Sequence, residues 1–239
     1  MKKINYLLGY DNLKIYQDDE MFRFSIDSVL LPNFVTIRKN TKKILDIGTG
    51  NAVIPLILTH LTNATIDGVE IQKDVYKLGV DSVKYNSLEE RIQLYNADIK
   101  EFSKQRESDC YDTITCNPPF FRVNEQSIMN LSDYKKIARH EVTLNLDDVF
   151  LIAKKLLKNN GNIAIVHRTE RLIDIIQIMK KYNIEPKKIQ YVYSNLNSNS
   201  NILLIEGVKN GKPGVKVLSP LYIYDENGNY TKQILDYFQ

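Results

Sequence analysis

The sequence predicts an α/β fold, in which a mostly parallel sheet carries helices on both faces behind an N-terminal cap. Three observations predict it. From Lys42 onward, short apolar β-prone runs alternate with helix-length segments, the punctuation of repeated strand–helix–strand units. Glycines or acids follow the last apolar residue of the early runs, where loops at a sheet's carboxyl edge begin. The fourth run is stopped by Pro118 and Pro119, because a proline ring nitrogen has no N–H for a sheet ladder.

Residues 1–40 read as a cap or lid and residues 41–239 as the main domain, the whole forming one compact unit. In the cap, Leu13, Ile15, Phe22 and Phe24 alternate loosely with polar residues, as in short strands. Asp27 is expected to cap a helix running through Val29 to Ile37, with Pro32 near its first turn or kinking it. Beyond it the expected order is strand Lys43–Ile47, helix Val53–Leu61, strand Ala64–Val69, helix Gln72–Asn86, strand Arg91–Tyr95 and strand Tyr111–Thr115. Helix Leu146–Leu157 follows, ended by the C-cap signal Asn159-Asn160-Gly161, then strand Ile163–Val166 and helix Arg171–Tyr182. Strands Lys188–Tyr193 and Ile202–Val208 have no helix between them and should pair as an antiparallel hairpin, which makes the last of seven strands antiparallel. Their connection, Ser194 to Asn201, is so rich in Asn and Ser that a mobile loop is expected. The tail predicts an edge strand Leu221–Tyr224, a turn at Glu226–Asn229 and a short helix ending at Phe238.

At 239 residues and 43% hydrophobic, the chain can bury one sizeable core. Its net charge of +3 neither requires nor excludes a polyanionic partner, so the placement of charge matters more than its sum. Lysine pairs recur at 2–3, 42–43, 135–136, 154–155, 180–181 and 187–188; pairs sharing one face would make a phosphate-tracking patch. Cys110 and Cys116 lack the spacing of a metal site or a disulfide framework and read as reduced, structural residues, and no metal is expected. The apolar start ends at Gly9, too early for a signal peptide, and no run approaches the length of a membrane span. A soluble, cytoplasmic protein is expected. Nothing in the sequence specifies an oligomer, and a monomer is favoured.

Asp46-Ile47-Gly48-Thr49-Gly50-Asn51 lies between the first strand and helix of the main domain, where glycines let a ligand approach the backbone. Val53 stands where a dinucleotide fingerprint needs its third glycine, which weakens a nicotinamide reading. Glu70 ends the second strand, placed to accept hydrogen bonds from both hydroxyls of a ribose, with Ile71 beside it to lie against a purine. Asp98 follows the third strand and can accept from an adenine amine. Taken singly, each acid is an ordinary turn or cap residue; their joint appearance after successive strands favours a ligand. Asn117-Pro118-Pro119-Phe120-Phe121 then supplies carbonyl oxygens, no donor from two ring nitrogens, and an aromatic ring, which suits a planar group with N–H bonds to give.

Taken in this order, the four motifs resemble those of class I S-adenosylmethionine-dependent methyltransferases that act on amines, with a Rossmann-like fold. Arg23–Leu31, Arg139-His140-Glu141, Val166-His167-Arg168 and Pro220–Gly228 extend the similarity over nearly the whole chain, to the bacterial tRNA(Val) adenine-37 N6-methyltransferases. That family often has Tyr where this chain has Phe120, a change that keeps stacking and removes a hydroxyl.

The resemblance implies S-adenosyl-L-methionine as cofactor and tRNA as partner. It implies that Asp46, Gly48, Thr49, Gly50, Asn51, Glu70, Ile71 and Asp98 bind the cofactor along with Asn117, Arg23 and Ser25. Asn117 and Pro118 then accept the two N–H bonds of the target amine while Phe120 stacks on the base. Pro119, Phe121, Arg139, Lys135 and Lys136 are the implied RNA contacts. Ser25 and Asp27 read equally well as helix-entry residues, and His140 and His167 as structural ones. An rRNA guanine-N2 methyltransferase, a protein-glutamine methyltransferase and a catalytically silent RNA-binding module of the same fold remain open at this stage.

Overall fold

The structure is a computed structural model and describes residues 2–7, 9–18, 25–118 and 144–236. The chain opens with an antiparallel hairpin, β1 (Lys2–Leu7) and β2 (Tyr10–Asp18), followed by helix α1 (Asp27–Phe34). The main sheet is built from β3 (Lys43–Ile47), β4 (Thr65–Glu70), β5 (Ile92–Asn96), β6 (Tyr111–Cys116), β7 (Leu157–Arg168), β8 (Ile184–Tyr193) and β9 (Ser200–Lys209). Helices α2 (Val53–Leu61), α3 (Lys73–Tyr85), α4 (Ile99–Lys104), α5 (Leu146–Leu156) and α6 (Leu172–Lys181) connect them.

The spatial order is β8-β9-β7-β6-β3-β4-β5, parallel throughout except that β9 runs antiparallel to both β7 and β8. Short strands β10 (Lys216–Val217) and β11 (Leu221–Tyr222) pair in succession along the outer edge of β8, and helix α7 (Lys232–Asp236) closes the described chain. With β10 and β11 the sheet has nine strands; its seven longer strands, the last of them antiparallel, match the expectation.

Successive strand residues point to opposite faces, and both faces are buried. Ile44, Val166 and Leu204 pack with α1, α2 and the hairpin residues Leu13 and Ile15, while Leu45, Ile165 and Ile205 pack with α4, α5 and α6. The N-terminal segment thus shares the main core. The free edge of β2 is satisfied by α3: the Tyr16 backbone N–H donates to Ser82 Oγ at 3.0 Å, and Lys14 exchanges bonds with the Asn86 side chain at 3.0 and 2.7 Å. Such pairing covers an edge that would otherwise template aggregation.

Several local expectations are corrected. Asp27 is the first helical residue of α1 and Ile26 holds the cap position with no side-chain bond, so Asp27 caps nothing; α1 also stops at Phe34, with Pro32 inside it. Helix α5 ends by running straight into β7 at Leu157, and Asn160 (φ 62°) sits in a bulge of β7 opposite β6 instead of capping a helix. Asn tolerates the left-handed region, so the same residue signal serves a bulge as readily as a cap. The Ser194–Asn201 connection is shorter than expected, because Ser200 and Asn201 already belong to β9, and within it the Asn195 N–H donates to Ser198 Oγ at 3.1 Å while that hydroxyl donates to the Asn195 carbonyl at 2.9 Å. Helix α4 and the pairing of β1 with β2 carried no recognised sequence signal.

Candidate active site

The parallel strands place four loops side by side at one edge of the sheet, in the order β6, β3, β4, β5. The Asn117 turn, last of the four in sequence, therefore stands next to the glycine loop after β3, with Ile47 opposite Cys116 and Asp46 opposite Thr115. Glu70 and then Asn96 follow on the far side.

In the glycine loop, Gly48 (φ 68°) and Gly50 (φ 59°) adopt the left-handed backbone that a side chain disfavours, and the space where a Cβ would stand is open at both. The loop is pinned from beneath, because the Gly48 and Thr49 N–H groups donate to the Val69 carbonyl at 2.9 and 3.1 Å. Glu70 pins it from the side: Oε2 accepts from the Gly50 N–H at 3.0 Å and Oε1 from the Gln72 N–H at 2.8 Å. Burial pushes the Glu70 carboxyl above its ordinary range, and these backbone bonds pull it partly back.

Asp46 is fully buried at the end of β3. Its Oδ1 accepts from the Thr115 hydroxyl at 2.6 Å, whereas Oδ2 makes no bond of ordinary geometry; the Thr49 hydroxyl, buried with it, lies near enough to the carboxylate to favour its charged form. Burial pushes its pKa up to about 7. An unused buried acceptor at a loop that leaves room for a ligand suits a donor-bearing or cationic group.

Ile71 is 41% exposed, an apolar surface left open beside the carboxylate of Glu70. Its backbone and that of Glu70 are held by Asn96, whose Nδ2 donates to both carbonyls at 3.1 and 2.9 Å. Asp98 caps α4, with Oδ1 accepting from the Lys100 N–H at 2.7 Å. Asn51 does not turn its side chain to the loop's open side: Nδ2 donates to the Tyr16 carbonyl at 3.0 Å and ties the hairpin to the glycine loop.

At the end of β6, Asn117 is half-buried and Pro118 buried. Asn117 Nδ2 donates to Ser28 Oγ of α1 at 3.0 Å. Ser25, just before α1, donates its hydroxyl to Asp27 Oδ2 at 3.0 Å, and burial raises the Asp27 carboxyl above its ordinary range, opposed by Ser25 and the charge of Arg168. His167 is buried on β7, its Nδ1 accepting from the Arg168 N–H at 2.8 Å. Arg23, Pro119, Phe120, Phe121, Lys135, Lys136, Arg139 and His140 lie outside the described residues. Sequence reading missed Ser28, Asn96 and Thr115, each an ordinary polar residue whose partner comes from a distant segment.

The described lysine pairs do not gather here. Lys42–Lys43 begins β3, and Lys154–Lys155 and Lys180–Lys181 end α5 and α6, toward the opposite edge of the sheet; Lys187–Lys188 lies midway along β8, with Lys188 on the register row of Asp46, and Lys2–Lys3 begins β1, where Lys2 pairs with Asp81. Several are neutralised: Lys43 pairs with Asp67 at 3.2 Å, Lys181 with Asp147 at 2.7 Å, Lys188 with Glu206 at 3.7 Å, and Lys180 with Glu185. Among the described residues no helix is long and apolar enough to cross a membrane, and both cysteines are free thiols.

Residues 38–218 match the family described as a methyltransferase domain. A tRNA1(Val) (adenine(37)-N6)-methyltransferase of Cytophaga hutchinsonii is 27% identical over 186 residues, 78% of this chain and 76% of the relative. The enzyme of the same name from Flavobacterium johnsoniae is 25% identical over 231 residues, 96% of each chain. Among solved structures, a predicted O-methyltransferase of Agrobacterium tumefaciens superposes with a TM-score of 0.70 at 14% identity, covering 89% of this chain and 95% of its own; it is similar in fold. With the family match spanning most of the chain, including all four loops of the site, the protein belongs to the methyltransferase domain family.

Proposed function

We propose that this protein transfers the methyl group of S-adenosyl-L-methionine to the exocyclic N6 amine of an adenine in tRNA, adenine-37 beside the anticodon of tRNA1(Val). The observation that carries the reading is the adjacency of Asn117 to the Asp46–Gly50 loop, which sets an amine acceptor beside a cradle open to a ligand. The names of relatives alignable over up to 96% of the chain support the choice of tRNA and of adenine.

The residues fit S-adenosyl-L-methionine. The space over Gly48 and Gly50 admits it, and Asp46 Oδ2 offers the unused acceptor that its ammonium group requires. Glu70 spends one bond per oxygen on the backbone and retains lone pairs for a ribose diol, with exposed Ile71 placed for the adenine ring. When bound, the cofactor supplies a methyl group made electrophilic by a sulfonium.

An adenine amine is a poor nucleophile because its lone pair is delocalised into the ring. In this reading Asn117 Oδ1 and the Pro118 carbonyl accept its two N–H bonds, hold the nitrogen in line, and oppose the positive charge it acquires. No strong base is required, since the methylated nitrogen is acidic and releases its proton to water. Phe120 stacks on the extruded base, and a loop nucleotide is cheap to extrude. Pro119, Phe121, Arg139, Lys135 and Lys136 are assigned to the RNA, and Arg23 and Ser25 to the cofactor. Incubation with labelled S-adenosyl-L-methionine and total tRNA, followed by nucleoside mass spectrometry, is expected to yield N6-methyladenosine. N2-methylguanosine, or label in protein, would overturn the assignment.

A further inference from the structure

We infer that Ser28 is a positioning residue for Asn117, anchoring its carboxamide to α1 so that the oxygen is held for the amine; the inference rests on the acceptor role proposed above for Asn117. A carboxamide has a donor end and an acceptor end of nearly equal size, so packing alone chooses poorly between the two orientations. Only one is productive. With its oxygen toward the substrate, Asn117 accepts an N–H bond; turned over, it would present two donors to a donor.

Ser28 Oγ accepts from Asn117 Nδ2 at 3.0 Å, which anchors the carboxamide to α1 through its nitrogen and leaves the oxygen for the amine. That Oγ is not needed to cap its helix, because Ile26 holds the cap position and makes no side-chain bond. The element carrying Ser28 is also fixed. Val29, Leu30 and Leu31 are fully buried, and the chain leaving α1 is tied to the sheet, where the Thr36 N–H donates to Glu206 at 2.6 Å and Asn162 donates to the Thr36 carbonyl at 3.0 Å. On the other side the Ser28 N–H donates to the Ser25 carbonyl at 3.1 Å. A bond donated by the amide nitrogen also polarises the group and places more negative charge on its oxygen, the atom that opposes charge on the methylated nitrogen.

The test uses Ser28→Ala, Ser28→Thr, Asn117→Ala and the Ser28→Ala/Asn117→Ala double variant. Ser28→Ala is expected to lower kcat about tenfold, the scale of one lost hydrogen bond, with the Kd for S-adenosyl-L-methionine and the KM for tRNA unchanged. Ser28→Thr should restore the rate, and Ser28→Ala should cost nothing more once Asn117 is alanine. An undiminished kcat, or losses that multiply in the double variant, would overturn the inference. A second measurement needs no substrate: in ¹⁵N-asparagine-labelled protein, the carboxamide signal absent from Asn117→Ala should move in Ser28→Ala and return in Ser28→Thr. An unmoved signal overturns the inference whatever the substrate, whereas a wild-type protein that fails to methylate tRNA refutes the substrate assignment and leaves the NMR outcome to decide on Ser28.

Discussion

Glu70 Oε2 accepts a 3.0 Å hydrogen bond from the backbone N–H of Gly50, joining the end of β4 to the glycine loop after β3. One carboxylate therefore shapes the cradle and, in the proposed function, also accepts from the ribose. Glu70→Ala is expected to weaken S-adenosyl-L-methionine binding on the order of tenfold to a hundredfold, since hydrogen bonds to a charged group contribute about 1.5–3 kcal/mol. Calorimetry giving an unaltered Kd would remove Glu70 from the cofactor site.

Asn117→Ala is expected to leave cofactor binding intact and to slow methyl transfer on the order of a hundredfold, the usual scale for losing one preorganised acceptor or donor at a reacting centre. Single-turnover assays on tRNA measure it. Unchanged turnover would exclude Asn117 from the mechanism.

Asp46 carries a pH signature. In the unfolded chain it ionises near its ordinary value of about 3.9, but in the fold burial holds its proton up to about 7. Between those values the folded state binds the extra proton, so the contribution of Asp46 to stability is full at low pH and is lost as the pH rises through about 7. Asp46→Asn removes this dependence, and its stability relative to wild type should climb between pH 4 and about 7 and then stay level. Urea denaturation across that range tests it, and a pH-independent difference would contradict the burial argument.

Glu206 is 4% exposed and serves three donors: the Thr36 N–H at 2.6 Å, Asn162 Nδ2 at 3.1 Å and the Lys188 ammonium at 3.7 Å. Burial already lowers the Lys188 pKa, with Glu206 acting against that shift. Glu206→Ala strands the Thr36 N–H, while Asn162 keeps the Thr36 carbonyl and Lys188 keeps the Phe34 carbonyl and the Thr36 hydroxyl, and it is expected to cost about 1–3 kcal/mol of stability, read as a lower denaturation midpoint. A change within the scatter of surface substitutions would show the network to be dispensable.

Because the paired lysines that end α5 and α6 lie toward the edge away from the site, replacing Lys154 and Lys155 by alanine should leave tRNA affinity unchanged. Replacing Lys135 and Lys136 should weaken it and reduce the slope of log affinity against log salt by roughly 0.7–0.9 per lost phosphate contact. Equal effects of the two double substitutions would place RNA on both edges.

The strands and helices of the main domain were legible because both faces of the sheet are buried, which writes each strand as a continuous apolar run and each helix as a periodic one. β3 and α2 fall on the residues expected of them. In the N-terminal hairpin the alternation of Leu13 and Ile15 marked β2, but β1 and the pairing were not legible, since β1 is largely exposed and β2 gains its edge partners from Ser82 and Asn86, more than sixty residues away. Asn159-Asn160-Gly161 misled for a related reason: asparagine's tolerance of positive φ marks a turn of the chain without saying which turn.

In the site, the sequence by itself determined the chemistry available, namely glycines for close approach, carboxylates for hydroxyls and amines, and a proline-locked carbonyl beside an asparagine. Their grouping was decided by the tertiary structure. The crossover that lays β6 against β3 sets Asn117 beside Asp46 instead of beside Asp98, its nearest motif in sequence. The same packing set Asp98 to capping α4, turned Asn51 toward Tyr16, and brought Ser28 to Asn117 across 89 residues. A side chain's type is local information. Its hydrogen-bond partner depends on which distant segment the burial of apolar faces brings within about 3 Å, and no local pattern records that choice.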